Sequence, residues 1–236
     1  SVPLDKIRAG INFDMTAADP VLAGAKLYTV APPFFYKCNL ATTGFNALKL
    51  ARTIMEQSSR DKAPAIELDE YDFSIGSDNQ ILNFPDFNIP TIGFICWPDR
   101  FYHTDADTPE RLNYHVMKQV ILAGAITLME LIQSKAPAQI TIPDQLDQGV
   151  DKQSDLNFDS RLLRRIPSRN YPGPLYRAAV YEMSNGMTFS TLDEMGARHD
   201  YEGMTTFALA EMLIDGKRSL GEIQHILQTQ GVNLDI

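Results

Sequence analysis

One stretch restricts the fold more than any other: Thr91-Ile-Gly-Phe-Ile-Cys96, followed by Trp97-Pro-Asp-Arg-Phe-Tyr-His-Thr104 and Asp105-Ala-Asp-Thr-Pro-Glu110. Its first part is apolar and rich in β-formers, so it reads as a buried strand. Thr108, Pro109 and Glu110 give a hydroxyl cap, a proline at the first helical position and an acid in the first turn, which together start a helix. Apolar residues at Leu112, Val116, Val120, Ala123, Ile126, Leu128 and Leu131 then keep helical spacing as far as Gln133. A buried strand, a polar aromatic loop with one histidine and a long helix form a unit of an α/β sheet. Such sheets bind ligands at the carboxyl ends of their strands. Taken alone, His103 reads as a loop histidine hydrogen-bonded to Asp105 or Asp107.

Upstream, Ile7 to Met15 reads as a strand ending at Asp14, broken by Thr16-Ala-Ala-Asp-Pro20. A strand-end aspartate serves either as a turn or cap residue or as a carboxylate presented to a metal. Lys26 to Val30 is a second strand, stopped by Pro32-Pro33. Phe45, Leu48, Ala51, Ile54 and Met55 have helical spacing, which predicts an amphipathic helix from Gly44 to Ser58 packed on the core. Ala65 to Phe73 alternates apolar and acidic residues, as a half-buried strand does, and its acids are read as the wet face. Ile75 to Gln80 is a turn into a short helix, with Ser77 or Asp78 as cap. Strands alternating with helices argue an α/β layer architecture around a mixed, mostly parallel sheet.

The texture changes after the long helix. Residues 1–135 form the α/β part, 136–155 read as a linker rich in Pro, Gln and Asp, and 156–236 form a small, mainly helical unit. Arg161, Arg164, Arg165 and Arg169 lie among prolines, Leu175 to Asn185 looks helical, and Phe207 to Ile214 is clearly so. Asp215-Gly216 ends that helix, and Ser219-Leu-Gly-Glu222 opens another with capping-box spacing. Helix, glycine turn, helix is helix-turn-helix geometry. The second helix carries no Lys or Arg, and the chain's net charge is −9. Both features argue against nucleic acid or an anionic membrane as partner and for a packing or protein-contact role. Hydrophobic content of 44% supports a sizeable core, and no apolar run reads as long enough to cross a bilayer. Cys38 and Cys96, far apart and each in apolar surroundings, read as two buried free thiols, with a disulfide between them as the alternative. No signal peptide is read, the compartment stays open, and the start at Ser1 suggests a piece or processed product of a longer protein.

Three ordered segments carry a family resemblance: Ile11-Asn-Phe-Asp-Met15, Gly76-Ser-Asp78 with Asn88-Ile-Pro90, and Tyr102-His-Thr104 with Asp107-Thr108. Over roughly residues 7–134 the chain resembles the co-catalytic zinc aminopeptidases, which include bacterial leucyl aminopeptidases and the related glutaminyl cyclases. The resemblance implies two zinc ions at strand ends, with Asp14 and His103 as zinc ligands. It gives Asp78 and Tyr102 supporting or substrate-contacting roles, and Trp97 a place in the core or lining the pocket. Zinc accepts imidazole nitrogen and carboxylate oxygen, and a close pair of zincs can hold hydroxide and a substrate carbonyl together. The C-terminal run Leu213-Ile-Asp-Gly-Lys-Arg-Ser-Leu-Gly-Glu-Ile223 resembles winged-helix modules appended to some bacterial aminopeptidase-like proteins.

The chain also departs from that pattern. The family's other ligands and its adjacent glutamate pair, one of which is the general base, lie upstream of the segment matching Asp14. They are therefore expected outside this chain, which leaves it with no catalytic residue of its own. Asn79 stands where the family usually has histidine. The expectation is a part of a zinc-dependent aminopeptidase acting on peptides or amino-acid-like substrates, inactive alone and completed by an upstream segment or a second chain. The alternative is a noncatalytic peptidase-like binding or scaffold module; zinc is expected in the complete protein and its presence in this chain stays open.

Overall fold

The computed structural model describes residues 3, 6–58, 65–134, 139–140, 167–168 and 201–232. The chain divides into two compact units, Ser1–Asn83 with Ile89–Ile140, and Phe84–Asn88 with Thr141–Ile236. The expected linker is undescribed apart from Gln139–Ile140. The arginine cluster and the helix expected at 175–185 lie outside the described residues.

The first unit is built on a sheet of strands β1 (Gly10–Asp14), β2 (Lys26–Val30), β4 (Leu68–Tyr71) and β5 (Thr91–Trp97), in the order β1-β5-β2-β4. β1 runs parallel to β5 and β2 parallel to β4, while β2 and β5 are antiparallel. The sheet is therefore mixed and mostly parallel, as the alternation of elements predicts. β5 lies inside the sheet and is the most apolar strand, with Ile92, Phe94 and Cys96 fully buried. A separate two-stranded ladder joins β3 (Tyr36–Lys37) and β6 (Gln139–Ile140).

Helices α1 (Leu40–Ser58) and α3 (Tyr114–Gln133) pack against each other on one face of this sheet. Side chains alternate along a strand, and directly paired residues share a face. Phe13, Ile92, Phe94 and Thr29 accordingly face the helices, and Asn12, Asp14, Thr91, Gly93, Ile95 and Trp97 face away. The helix side is close-packed. A Cβ on Gly44 of α1 would meet Ile92 Cδ1 at 2.6 Å, and one on Gly124 of α3 would meet Phe13 Cζ at 2.5 Å. A larger residue at either position would have to push the Ile92 or Phe13 side chain aside. Gln119 of α3 is buried because its amide donates to the Leu48 carbonyl of α1, 3.1 Å away. A short helix, α2 (Asn79–Leu82), leads to Asn83, whose amide bonds both the N–H and the carbonyl of Thr91 at 2.8 Å and sets the start of β5.

Three local expectations are corrected. α1 begins at Leu40 rather than Gly44, because Leu40 continues the buried stripe of Gly44, Ala47, Leu48 and Ala51. α3 begins at Tyr114: Pro109–Arg111 forms one 3₁₀ turn, and Leu112 returns to extended backbone (φ −80°, ψ 139°). The cap is Asn113, whose side-chain oxygen accepts from the N–H groups of His115 and Val116. Thr108 instead donates its hydroxyl to Glu110, which holds that carboxyl below its ordinary value. Finally, α3 does have the length and apolar composition of a membrane-crossing helix. One stripe, Val116, Val120, Ala123 and Gly124, is buried in the fold, while Tyr114, Ile121, Leu128, Met129 and Ile132 are exposed.

In the second unit, α4 (Tyr201–Met212) and α5 (Leu220–Thr229) touch and bury Leu209, Met212, Leu213, Ile223, Ile226 and Leu227. The turn between them has Gly216 at φ 75°, and Asp215 accepts from the N–H groups of Lys217 and Arg218. The Ser219–Glu222 capping box is formed in both directions.

Both cysteines are free, but Cys38 is only half-buried. Burial pushes the Cys96 thiol up to about 12 and also raises Cys38. A disulfide reagent at mildly alkaline pH should therefore label Cys38 slowly in the native chain, and Cys96 only on unfolding. Leu48→Ala, at a site with no exposed surface, should cost about 2–5 kcal/mol, read as a lower urea midpoint.

Candidate functional site

The parallel pairing of β1 and β5 sets the site. Asp14, the last residue of β1, pairs with Ile95, and β5 ends two residues later at Trp97. The loop carrying His103 therefore leaves the sheet at the edge where Asp14 is presented. Asp14 is half-buried and His103 is exposed.

The His103 loop is a run of tight turns. Trp97–Pro98 is a cis peptide. Asp99 accepts from Phe101 N–H at 2.8 Å through its side chain and from Tyr102 N–H at 3.1 Å through its carbonyl. The Thr104 hydroxyl donates to the Phe101 carbonyl at 2.7 Å. The Tyr102 ring stacks on the His103 imidazole with centroids 3.7 Å apart, and meets Trp97 edge-on at 5.3 Å. Arg111 lies 4.4 Å over the Phe101 ring. His103 itself is left-handed, with φ 55°. The bonds to Asp105 or Asp107 expected for a lone loop histidine are absent among the described residues.

Behind Asp14, the chain turns through Met15, which is also left-handed at φ 50°. A non-glycine residue in that region is strained by about 1–3 kcal/mol and persists only where its surroundings hold it. Here they do, because the loop after β1 is stitched to the segment running from β5 to α3. Cys96 N–H donates to the Met15 carbonyl at 3.2 Å, Asn113 N–H to Ala17 at 2.7 Å, and Asp19 N–H to Arg111 at 3.2 Å. Ala18 and Leu112 form an antiparallel bridge. Arg100 reaches the Ala23 carbonyl through backbone and side chain, both at 3.4 Å. Asp19 takes Val21 and Leu22 N–H with one oxygen and the Asn113 amide with the other. Partial burial opposes the charge on Asp19, but the hydrogen bonds from Leu22, Asn113 and Val21 outweigh it and hold the carboxyl below its ordinary value.

The third segment joins through β1. Asn12, on the same face as Asp14, donates to the Ser77 hydroxyl at 2.6 Å. Asp78 follows, exposed, at the N-cap position of α2, yet its side chain caps nothing. Asn79 is buried, and its amide donates to the Ser74 carbonyl at 3.3 Å. Residue by residue, the structure brings Asp14 and the His103 loop to one sheet edge and ties the Asp78 segment to the same strand. Asp14, Asp78 and His103 spend no side-chain hydrogen bond or ion pair on the described residues. Their neighbours Asn12, Ser77, Asp19, Asn113 and Asp99 are all committed. Asp19 and Asn113 carry the loop architecture and are not singled out by sequence reasoning, because a cap residue and a turn residue give no sign that they meet.

As donors, an aspartate and a neutral histidine fit zinc. They fit it only in part: no three His, Cys, Asp or Glu side chains gather among the described residues. Glu67, Asp69 and Glu70 do not contribute. They lie on or beside β4 at the opposite end of the strand order, and Glu67 pairs with Lys26 at 2.6 Å.

A family model described as Peptidase family M28, the co-catalytic zinc aminopeptidase family, matches residues 1–125. No curated protein and no solved structure matches the chain.

The state of Asp19 generates a pH dependence. Its carboxyl is lowered on folding, so its stabilisation is present above the unfolded-chain value and is lost as pH falls through the depressed folded value. Asp19→Asn should be less stable than the parent at neutral pH, and the difference should vanish in acid. Paired thermal melts across that range check this.

Proposed function

The chain belongs to peptidase family M28, and from that premise we propose that it is part of a zinc-dependent, aminopeptidase-type hydrolase. The family match supports a zinc-dependent peptidase in general. The reading that Asp14 and His103 are this chain's ligands rests on one observation. Asp14 ends β1 and His103 lies on the loop that follows its parallel neighbour β5; the segments after the two strands are stitched together, and neither side chain hydrogen-bonds another of the described residues.

When bound, zinc would supply a Lewis acid and a water of lowered pKa at this edge. The chain's own residues do the rest of what can be derived. Asp14 offers a carboxylate oxygen and His103 an imidazole nitrogen. Stacking on Tyr102 fixes the plane of that imidazole, and the edge-on contact with Trp97 steadies Tyr102. Asp78, free of capping duty and tied through Ser77 to β1, is placed to orient a polar group of a peptide or amino-acid-like ligand. A catalytic zinc needs three protein ligands and an open position. The described residues gather fewer, so further donors and the general base belong to another segment or a second chain.

Asn79 favours a second reading, a peptidase-like module that binds without catalysis. The residue where the family usually has histidine is buried and spends its amide on Ser74. The two readings part on metal binding. Under the first, zinc binds the chain, His103→Ala and Asp14→Ala each weaken it by at least about tenfold, and aminoacyl-arylamide substrates are not hydrolysed by the chain alone. Zinc affinity indifferent to both substitutions would leave the binding module. Chelator-sensitive turnover by the homogeneous chain would show that the base is present after all. His103→Gly adds a cross-check on strain. It should weaken zinc in the same way, yet hold stability or raise it by up to about 1 kcal/mol, because glycine accepts the left-handed backbone.

A further inference from the structure

Among the contacts that stitch the loop after β1 to the segment leading into α3, most are backbone to backbone and would survive most substitutions. Arg100 reaches the Ala23 carbonyl with its side chain, but its backbone N–H reaches the same atom. The bond from Asn113 Nδ2 to Asp19 Oδ2, at 3.0 Å and across 94 residues of sequence, is side chain to side chain. Each partner uses its remaining side-chain polar atom at home: Asn113 Oδ1 caps α3, and Asp19 Oδ1 holds the turn at Val21 and Leu22. Beside the backbone bonds of Asn113 to Ala17 and Asp19 to Arg111, this side-chain bond ties a fixed helix start to a fixed turn. The His103 loop hangs between this clamp and the end of β5, and the turn lies just beyond Asp14.

We propose that Asn113 and Asp19 are positioning residues: their bond holds the loop of His103 in place against the strand end of Asp14. Neither touches a ligand. The inference rests on the reading of Asp14 and His103 as a pair, and it is testable apart from zinc.

The test uses the full chain with Asn113→Ser, Asp19→Ser, the double variant, and Asn113→Ala and His103→Ala as controls. Serine at 113 still accepts from the first helical N–H groups but has no amide to donate. Serine at 19 still holds its turn but has no second oxygen. The readouts are the thermal midpoint, the ring resonances of His103 assigned by comparison with His103→Ala, and zinc affinity by competition with a chromophoric chelator. In both serine variants the His103 resonances should shift and broaden, and zinc affinity should fall about tenfold. Asn113→Ala, which also loses the cap, should lower the midpoint further than Asn113→Ser. The double variant should be no worse than either single in resonances and affinity, because one bond is lost in all three. Unmoved His103 resonances in both serine variants overturn the proposal, and so does unchanged zinc affinity where His103→Ala abolishes binding. If zinc binding ignores His103→Ala, the metal reading fails, and the resonances still decide whether the clamp positions the histidine.

Discussion

The in-register parallel pairing of β1 with β5 is the constraint on which the rest depends. It places Asp14 opposite Ile95 and points both away from the helices. A slip of one residue would turn Asp14 into the face packed by α1 and α3 and expose Phe13's partners. The register is guarded on both faces. On the helix side, Phe13 fits against Gly124 and lies 5.8 Å from Phe94. On the other side, Asn12 bonds Ser77, and Gly10 N–H bonds the Pro90 carbonyl. The packing that makes the core thus also aims the carboxylate.

Two of the three left-handed non-glycine residues among the described residues lie at the candidate site, and the third is Asn88. Met15, directly after Asp14, and His103 are both left-handed. Residues of this kind endure when neighbours over-determine them. Cys96 holds Met15 through its carbonyl, and the turns at Asp99 and Thr104 hold His103 from both sides. The polar residues around these two are spent on structure, whereas the side chains of Asp14, Asp78 and His103 make no hydrogen bond or ion pair among the described residues. Such an edge can bind. No third His, Cys, Asp or Glu donor gathers here among the described residues.

Much of this was legible in the sequence where the cause was local. β2 and β5 follow from composition and flanking prolines, and the capping box at Ser219 follows from spacing and is fully formed. The strand-end position of Asp14 and the loop position of His103 are likewise readable. Other features were hidden because their causes are tertiary. Thr108-Pro109 is a valid helix start, but Thr108 gives its hydroxyl to Glu110, and Asn113 takes the cap with help from Asp19. Leu40 joins α1 because the core has room for it, past a Thr-Thr-Gly run that looks like a break. No periodicity shows that β2 would enter the sheet antiparallel beside β5.

Zinc-edge X-ray absorption on the zinc-loaded chain, compared with His103→Ala and Asp14→Ala, separates a metal held at this sheet edge from one held elsewhere. An imidazole in the metal's shell should disappear in the first variant, and a light-atom oxygen contribution should fall in the second. A shell unchanged by both substitutions would mean that zinc is held elsewhere, and that this sheet edge is not where the chain meets its metal.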